Sequence, residues 1–194
     1  MNNKNEILRK IVHIVFGVLI ILGFKYLERS VFIWALFILF LLTILFTLIH
    51  MKFRIRFLEN FTKGEEKKFP LKGSIFFIVG CALVIYIFSK NIALASIAVL
   101  TFGDSTSSLA SYFGTKYNLN PFRKYKSLLG TFVGIVVAFL FCLLFVDPLF
   151  AIVGSFFGML SESLAIKLGE SDADDNLIVP LAAAVAMYLL AKII

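Results

Sequence analysis

Residues 30–49, SVFIWALFILFLLTILFTLI, pass twenty positions without one charged side chain. At about 1.5 Å per residue such a helix spans about 30 Å, the thickness of the hydrocarbon layer of a bilayer. Inside hydrocarbon every backbone N–H and C=O must be bonded within the chain, so a run like this folds as a helix. Comparable runs recur at about 8–25, 73–89, 92–113, 127–146, 149–168 and 177–194. The expectation is an all-α, polytopic integral membrane protein with about seven transmembrane helices, in the cytoplasmic membrane. A six-span version with a re-entrant last segment is the alternative. Several runs are short, which implies tilt or local thinning of the bilayer. Charged residues make up only 16% of the chain, against about a quarter in soluble domains. The longest polar interval, residues 50–72, is too short to fold alone, so residues 1–194 read as a single transmembrane domain. The first apolar run ends in GFKYLERS instead of a small-residue cleavage site, which predicts a retained helix and not a signal peptide. Cys81 and Cys142 sit alone in apolar runs, which predicts neither a disulfide nor a metal site.

Lys and Arg set the orientation. With a cytoplasmic N-terminus, fifteen fall inside, and only Lys25, Arg29, Lys90 and Lys192 fall outside. The net charge of +7 is then the bias of cytoplasmic loops and not a nucleic-acid surface. The basic loop 50–72 reads as an interfacial segment touching anionic lipid headgroups. In this topology every unusual polar group gathers at the cytoplasmic end, while the outer loops are short and plain. That pattern predicts a site at one face, not a conduit.

The central puzzle is TFGDSTSSLASYFG, residues 101–114. On a helix, Asp104, Ser107, Ser108 and Ser111 form one continuous face, which Thr101 extends backwards. Serines alone are explained by helix packing. A carboxylate at the centre of a spanning helix costs roughly 2.5–3.5 kcal/mol and is usually paired or functional. The face predicts a polar cleft open to the cytoplasm, and Gly103 permits a kink or a close approach.

Other groups join it. Arg9 and His13 share one face of the first helix, with Lys10 beside them; the pattern suits a membrane anchor or a phosphate grip. Lys126 and Ser127 open a helix whose free N–H groups attract anions. Gly130 and Gly134, then Gly154 and Gly158, allow close helix packing. Glu162 is a second acid within an apolar segment. Asp172, Asp174 and Asp175 crowd one loop. Asp175 or Asn176 can cap the last helix, with Pro180 in its first turn. One cap needs one acid, and the surplus suggests Mg²⁺. No phosphate-binding loop, dinucleotide fingerprint, zinc motif or inverted repeat is present.

RKIVHIVFG, KGSIFF, GDSTSSLASYFG, KSLLGTFVG, ES at 162–163 and DDNLIVP occur in this order from Arg9 to Pro180. The set resembles the polyprenol kinase family, which comprises dolichol kinase, phytol kinase and CTP-dependent diacylglycerol kinase, within the broader CTP-transferase superfamily. The resemblance implies a membrane enzyme that moves the terminal phosphate of CTP to a lipid alcohol. The family's basic pair falls on Arg9 and Lys10, and its Gly-Asp on Gly103 and Asp104. Its Lys-Ser motif falls on Lys126, Ser127, Gly130 and Thr131, and its acidic pair with Asn on Asp174, Asp175 and Asn176. One departure is SYFG, where the family usually carries Gly, two basic residues, an aromatic and Gly.

The resulting expectation gives Asp104, Glu162 and Lys126 to catalysis. Arg9, Lys10, Lys72, Gly103, Ser127, Gly130 and Thr131 would hold nucleotide phosphates. Asp174, Asp175 and Asn176 would hold Mg²⁺ or another divalent cation. The acceptor would be dolichol, undecaprenol, phytol, geranylgeraniol or diacylglycerol. Cytidylyl transfer to phosphatidate is the second reading, although that family's C-terminal HGG and DR signature is missing. A non-catalytic membrane interaction protein is the third, and it leaves Asp104 and Glu162 unexplained.

Overall fold

A computed structural model of the chain describes residues 3–53, 71–114, 120–121, 123, 126–164, 167–168 and 171–194. Most of the expected basic loop, residues 54–70, lies outside them. The helices are α1 (Asn3–Tyr26), α2 (Arg29–Phe53), α3 (Lys72–Ile87), α4 (Lys90–Ala98), α5 (Ser105–Gly114), α6 (Leu128–Cys142), α7 (Pro148–Ser163) and α8 (Asp175–Ile193). A π-helical segment, Val99–Asp104, joins α4 to α5 without a break. Four helical stretches are long and apolar enough to cross a membrane: Ile7–Tyr26, Arg29–Phe53, Lys90–Tyr112 and Asp175–Ile193. Three apolar helices are shorter: α3, α6 and α7, with 16, 15 and 16 residues. At 1.5 Å per residue these rise only about 22–24 Å.

The rod α4–π–α5 is the axis of the bundle. Of its apolar window 78% is buried, against 17–28% in the other three long helices. Its α4 half explains why: Ile92, Ala93, Leu94, Ala95, Ile97 and Ala98 are apolar all round and buried all round. Around it, α1 leans on the π segment, α6 packs on α5, and α7 and α8 pack on each other. Helix α2 packs mainly on α3 and turns a broad apolar face outwards. Small residues set the closest approaches. A Cβ on Gly17 would lie 2.1 Å from Thr101 Oγ1, and one on Gly158 would lie 2.7 Å from Val99. At the end away from the site, Arg29 donates to the Phe88 carbonyl at 2.9 Å and ties the two turns there together.

Several boundaries differ from the sequence expectation. The run 149–168 is helical only to Ser163. Leu164 turns extended, and Lys167–Leu168 pairs antiparallel with Ser171–Asp172 in register Lys167↔Asp172. The last helix is capped by Asp174, whose side chain accepts from the Asn176 N–H at 3.1 Å, instead of by Asp175 or Asn176. Pro180 lies inside that helix and not in its first turn. Having no N–H, Pro180 leaves the Asn176 carbonyl without its usual helical partner. That carbonyl lies against Gly80, where a Cβ would come within 2.3 Å of it.

Candidate functional site

Asp104 ends the π segment. A π turn admits one extra residue per turn and is common at functional sites. Thr101 and Asp104 both meet α1, Thr101 against Gly17 and Asp104 against Lys10, seven residues earlier on that helix. Lys10 Nζ donates to Asp104 Oδ2 at 2.5 Å. Lys126 Nζ lies 3.5 Å from the other oxygen, Oδ1. Lys126 also donates to Glu162 Oε1 and, at 3.1 Å, to Ser108 Oγ. Lys126 thus joins the central rod to the C-terminal end of α7 from the threshold of α6. Asp104 is 2% exposed, Lys10 6% and Glu162 0%. The expected cytoplasm-open cleft is therefore corrected: in this structure the Asp104 carboxylate is enclosed, and both its oxygens face ammonium groups. Glu162 keeps one oxygen, Oε2, buried and without a partner among the described residues.

The serine face of α5 meets the start of α6. Ser111 Oγ accepts from the Ser127 N–H at 3.0 Å, and Ser127 Oγ accepts from the Gly130 N–H at 2.9 Å. Two of the N–H groups expected to attract an anion are thereby satisfied by side chains. Thr131 Oγ1 donates to the Ser127 carbonyl at 3.4 Å. Gly130 is a packing position: a Cβ there would lie 1.9 Å from Ser111 Oγ and 2.6 Å from the Ser107 carbonyl. Gly103 packs likewise on Met159, Ala138 and Gly134. The structure gives both glycines to helix contact.

Arg123 joins the cluster, and the sequence signalled it only as one more loop charge. Its Nη1 donates to both Asp175 oxygens, at 2.7 and 2.8 Å, and to the Glu162 carbonyl at 2.9 Å. Asn120 Nδ2 donates to the Ser163 carbonyl at 3.0 Å, and the Asn120 N–H donates to the Lys126 carbonyl at 2.9 Å. Asn120 and Arg123 are thus fastened to the last turn of α7, whose final carbonyls have no helical partners of their own. That attachment delivers Lys126 to Glu162.

A second group lies at the start of α8. Asp174 Oδ1 accepts from Asn176 Nδ2 at 2.9 Å, and Asn176 Nδ2 also donates to the Gly73 carbonyl at 3.1 Å. Burial raises the Asp174 carboxyl above its ordinary range, and the Lys72 charge nearby acts against that rise. Arg9 is half-buried next to Lys10. Among the described residues no three His, Cys, Asp or Glu side chains form a ready cation cage. The donor set still suits Mg²⁺, which takes hard oxygen ligands and binds one or two carboxylates together with substrate phosphates. Asp174 Oδ2 and Asn176 Oδ1 accept no bond from any described residue, whereas Asp175 is already held by Arg123.

The chain is 28% identical over 143 residues to CTP-dependent diacylglycerol kinase 1 of Schizosaccharomyces pombe, an alignment covering 65% of this chain and 63% of that protein. The chain thus spans less than two thirds of the length of this relative. No protein-family model and no solved structure matches it.

Proposed function

We propose that this protein is a CTP-dependent lipid kinase that transfers the terminal phosphate of CTP to the hydroxyl of a membrane lipid. The observation that carries the reading is the buried junction Lys10–Asp104–Lys126–Glu162, closed by Arg123 and Asp175. Similarity to a CTP-dependent diacylglycerol kinase supports the donor and the lipid class. The acceptor is diacylglycerol or an isoprenoid alcohol. The seven apolar helices are read as spans with the N-terminus and the site on the cytoplasmic side, as the Lys and Arg asymmetry favours.

Phosphoryl transfer needs positioning and charge neutralisation more than covalent chemistry. Lys10, Lys126 and Arg123 are cations held in place by carboxylates, and nucleotide phosphates compete for the same donors. Arg9 and Lys72 stand at the edge of this group. Asp104 and Glu162 keep the cations charged and close, and they are the carboxylates available to the hydroxyl proton. Asp174 and Asn176, with Asp175 once Arg123 turns to phosphate, would hold Mg²⁺. When bound, the ion would offset charge on the β- and γ-phosphates.

The test is product analysis of the purified protein with CTP, Mg²⁺ and a panel of diacylglycerol, dolichol, undecaprenol, phytol and geranylgeraniol. A kinase yields CDP and a lipid monophosphate. Pyrophosphate and a CDP-lipid from phosphatidate would replace this reading with cytidylyl transfer.

A further inference from the structure

His13 lies one turn beyond Lys10 on α1, as Thr101 lies one turn before Asp104 on the central rod. It is therefore on the inner, apolar side of the Lys10–Asp104 pair, about 4.5 Å further along the helix. The groups suited to a nucleotide, Arg123, Lys126 and Asp174, come from the segments at the other side of that pair. The Nε2 atom of His13 is buried with no partner among the described residues. In the neutral ring with the proton on Nδ1, Nε2 offers a lone pair. The ring stands edge-on to Phe77, with centroids 4.6 Å apart, which fixes its plane.

The residue as a whole is only half-buried, and its neighbours Val12, Val15 and Phe16 are 37%, 51% and 47% exposed on the apolar outer face of α1. His13 thus keeps part of its surface at membrane depth beside an apolar face, while Nε2 itself is covered and unpartnered, and a polar residue so placed is costly unless something uses it. An unsatisfied buried acceptor is costly too. A lipid alcohol meets both conditions. Its tail stays on the apolar face of α1, and its hydroxyl supplies the one hydrogen that Nε2 lacks.

We propose that His13 Nε2 is the binding point for the acceptor hydroxyl, reached sideways from the bilayer along α1. The two substrates then approach the Lys10–Asp104 pair from opposite sides: nucleotide from the loops, alcohol from the apolar bundle. This inference rests on the kinase reading and adds to it the subsite for the acceptor.

The experiment is steady-state kinetics of wild type, His13→Phe and His13→Gln with CTP against geranylgeraniol and 1,2-dioleoylglycerol. Phe keeps the ring contact with Phe77 and removes both nitrogens, while Gln restores one acceptor and one donor. The expected result for His13→Phe is a fall of roughly tenfold or more in kcat/KM for the alcohol, with the KM for CTP unchanged and part of the loss recovered in His13→Gln. Photolabelling of the unaltered protein by geranylgeraniol carrying a diazirine at its first carbons gives a readout that needs no variant. Label on residues 11–17, competed by unlabelled alcohol, is expected. If wild type is active but His13→Phe keeps its alcohol kinetics, or loses CTP and alcohol alike, or the label falls on other helices, His13 is not the subsite. If wild type phosphorylates neither these two alcohols nor dolichol, undecaprenol or phytol, the kinase reading itself falls, and the subsite falls with it.

Discussion

Lys10 Nζ and Asp104 Oδ2 stand 2.5 Å apart, ninety-four positions apart in the chain, and both side chains are buried. Removing one member of a buried pair strands the other charge, at a cost of about 3–5 kcal/mol, whereas replacing both by apolar groups is often neutral. Lys10→Met alone is expected to lower unfolding stability in detergent by about that amount. Lys10→Met with Asp104→Leu is expected to regain most of it while remaining inactive. Recovery of activity in the double variant would make the pair a packing device only.

Arg123 holds Asp175 and the Glu162 carbonyl from a partly exposed position. Arg123→Ala is expected to lower the melting temperature, because Asp175 and the Glu162 carbonyl lose their donor, and to lower kcat/KM for CTP by tenfold or more in the folded fraction, as a charged hydrogen bond of about 1.5–3 kcal/mol is lost. Arg123→Lys is expected to recover little, because an ammonium cannot reproduce the guanidinium fan of donors. Kinetics and thermal unfolding of both variants, measured together, check this.

Gly130 separates packing from phosphate binding. Gly130→Ala puts a methyl group within 1.9 Å of Ser111 Oγ and 2.6 Å of the Ser107 carbonyl, and overpacking of this kind costs about 1–3 kcal/mol. The expected effect is a lower melting temperature with an unchanged KM for CTP in the remaining folded fraction. A raised KM at native stability would give the position to the nucleotide.

Asp174 and the divalent cation are linked. A carboxyl that burial has raised is protonated at a higher pH than an exposed one, and a protonated carboxyl does not bind a cation. The Mg²⁺ concentration needed for half-maximal activity is therefore expected to rise as pH falls, and Asp174→Asn is expected to raise it at every pH. Titrations of activity with Mg²⁺ at two pH values test both statements.

The apolar runs made the helices legible, because hydrocarbon leaves the backbone no other solution. Asp104, Lys10, Lys126 and Glu162 were legible as charges at odds with their surroundings. What they bond was not, because partners lie far apart in sequence: Lys126 meets Glu162 where Asn120 and Arg123 are attached to the end of α7. Arg123 was hidden for the same reason, since a loop arginine looks like any other. The π segment was illegible because a local change of helical winding leaves the composition and the apolar run unchanged. The cap is Asp174 instead of the expected Asp175 or Asn176, and Asp175 is held by Arg123, fifty-two positions away.

The most direct test is transfer of label from γ-labelled CTP to lipid by wild type and Glu162→Gln, compared at equal thermal stability. Gln keeps the size and an acceptor for Lys126, while Asp104 still holds that ammonium, so the fold is expected to persist. The account predicts labelled lipid monophosphate from wild type and a rate lower by roughly a hundredfold or more in the variant, as for loss of one preorganised electrostatic group. A folded Glu162→Gln protein retaining more than about a tenth of the wild-type rate, under ~1.4 kcal/mol of barrier, would contradict it.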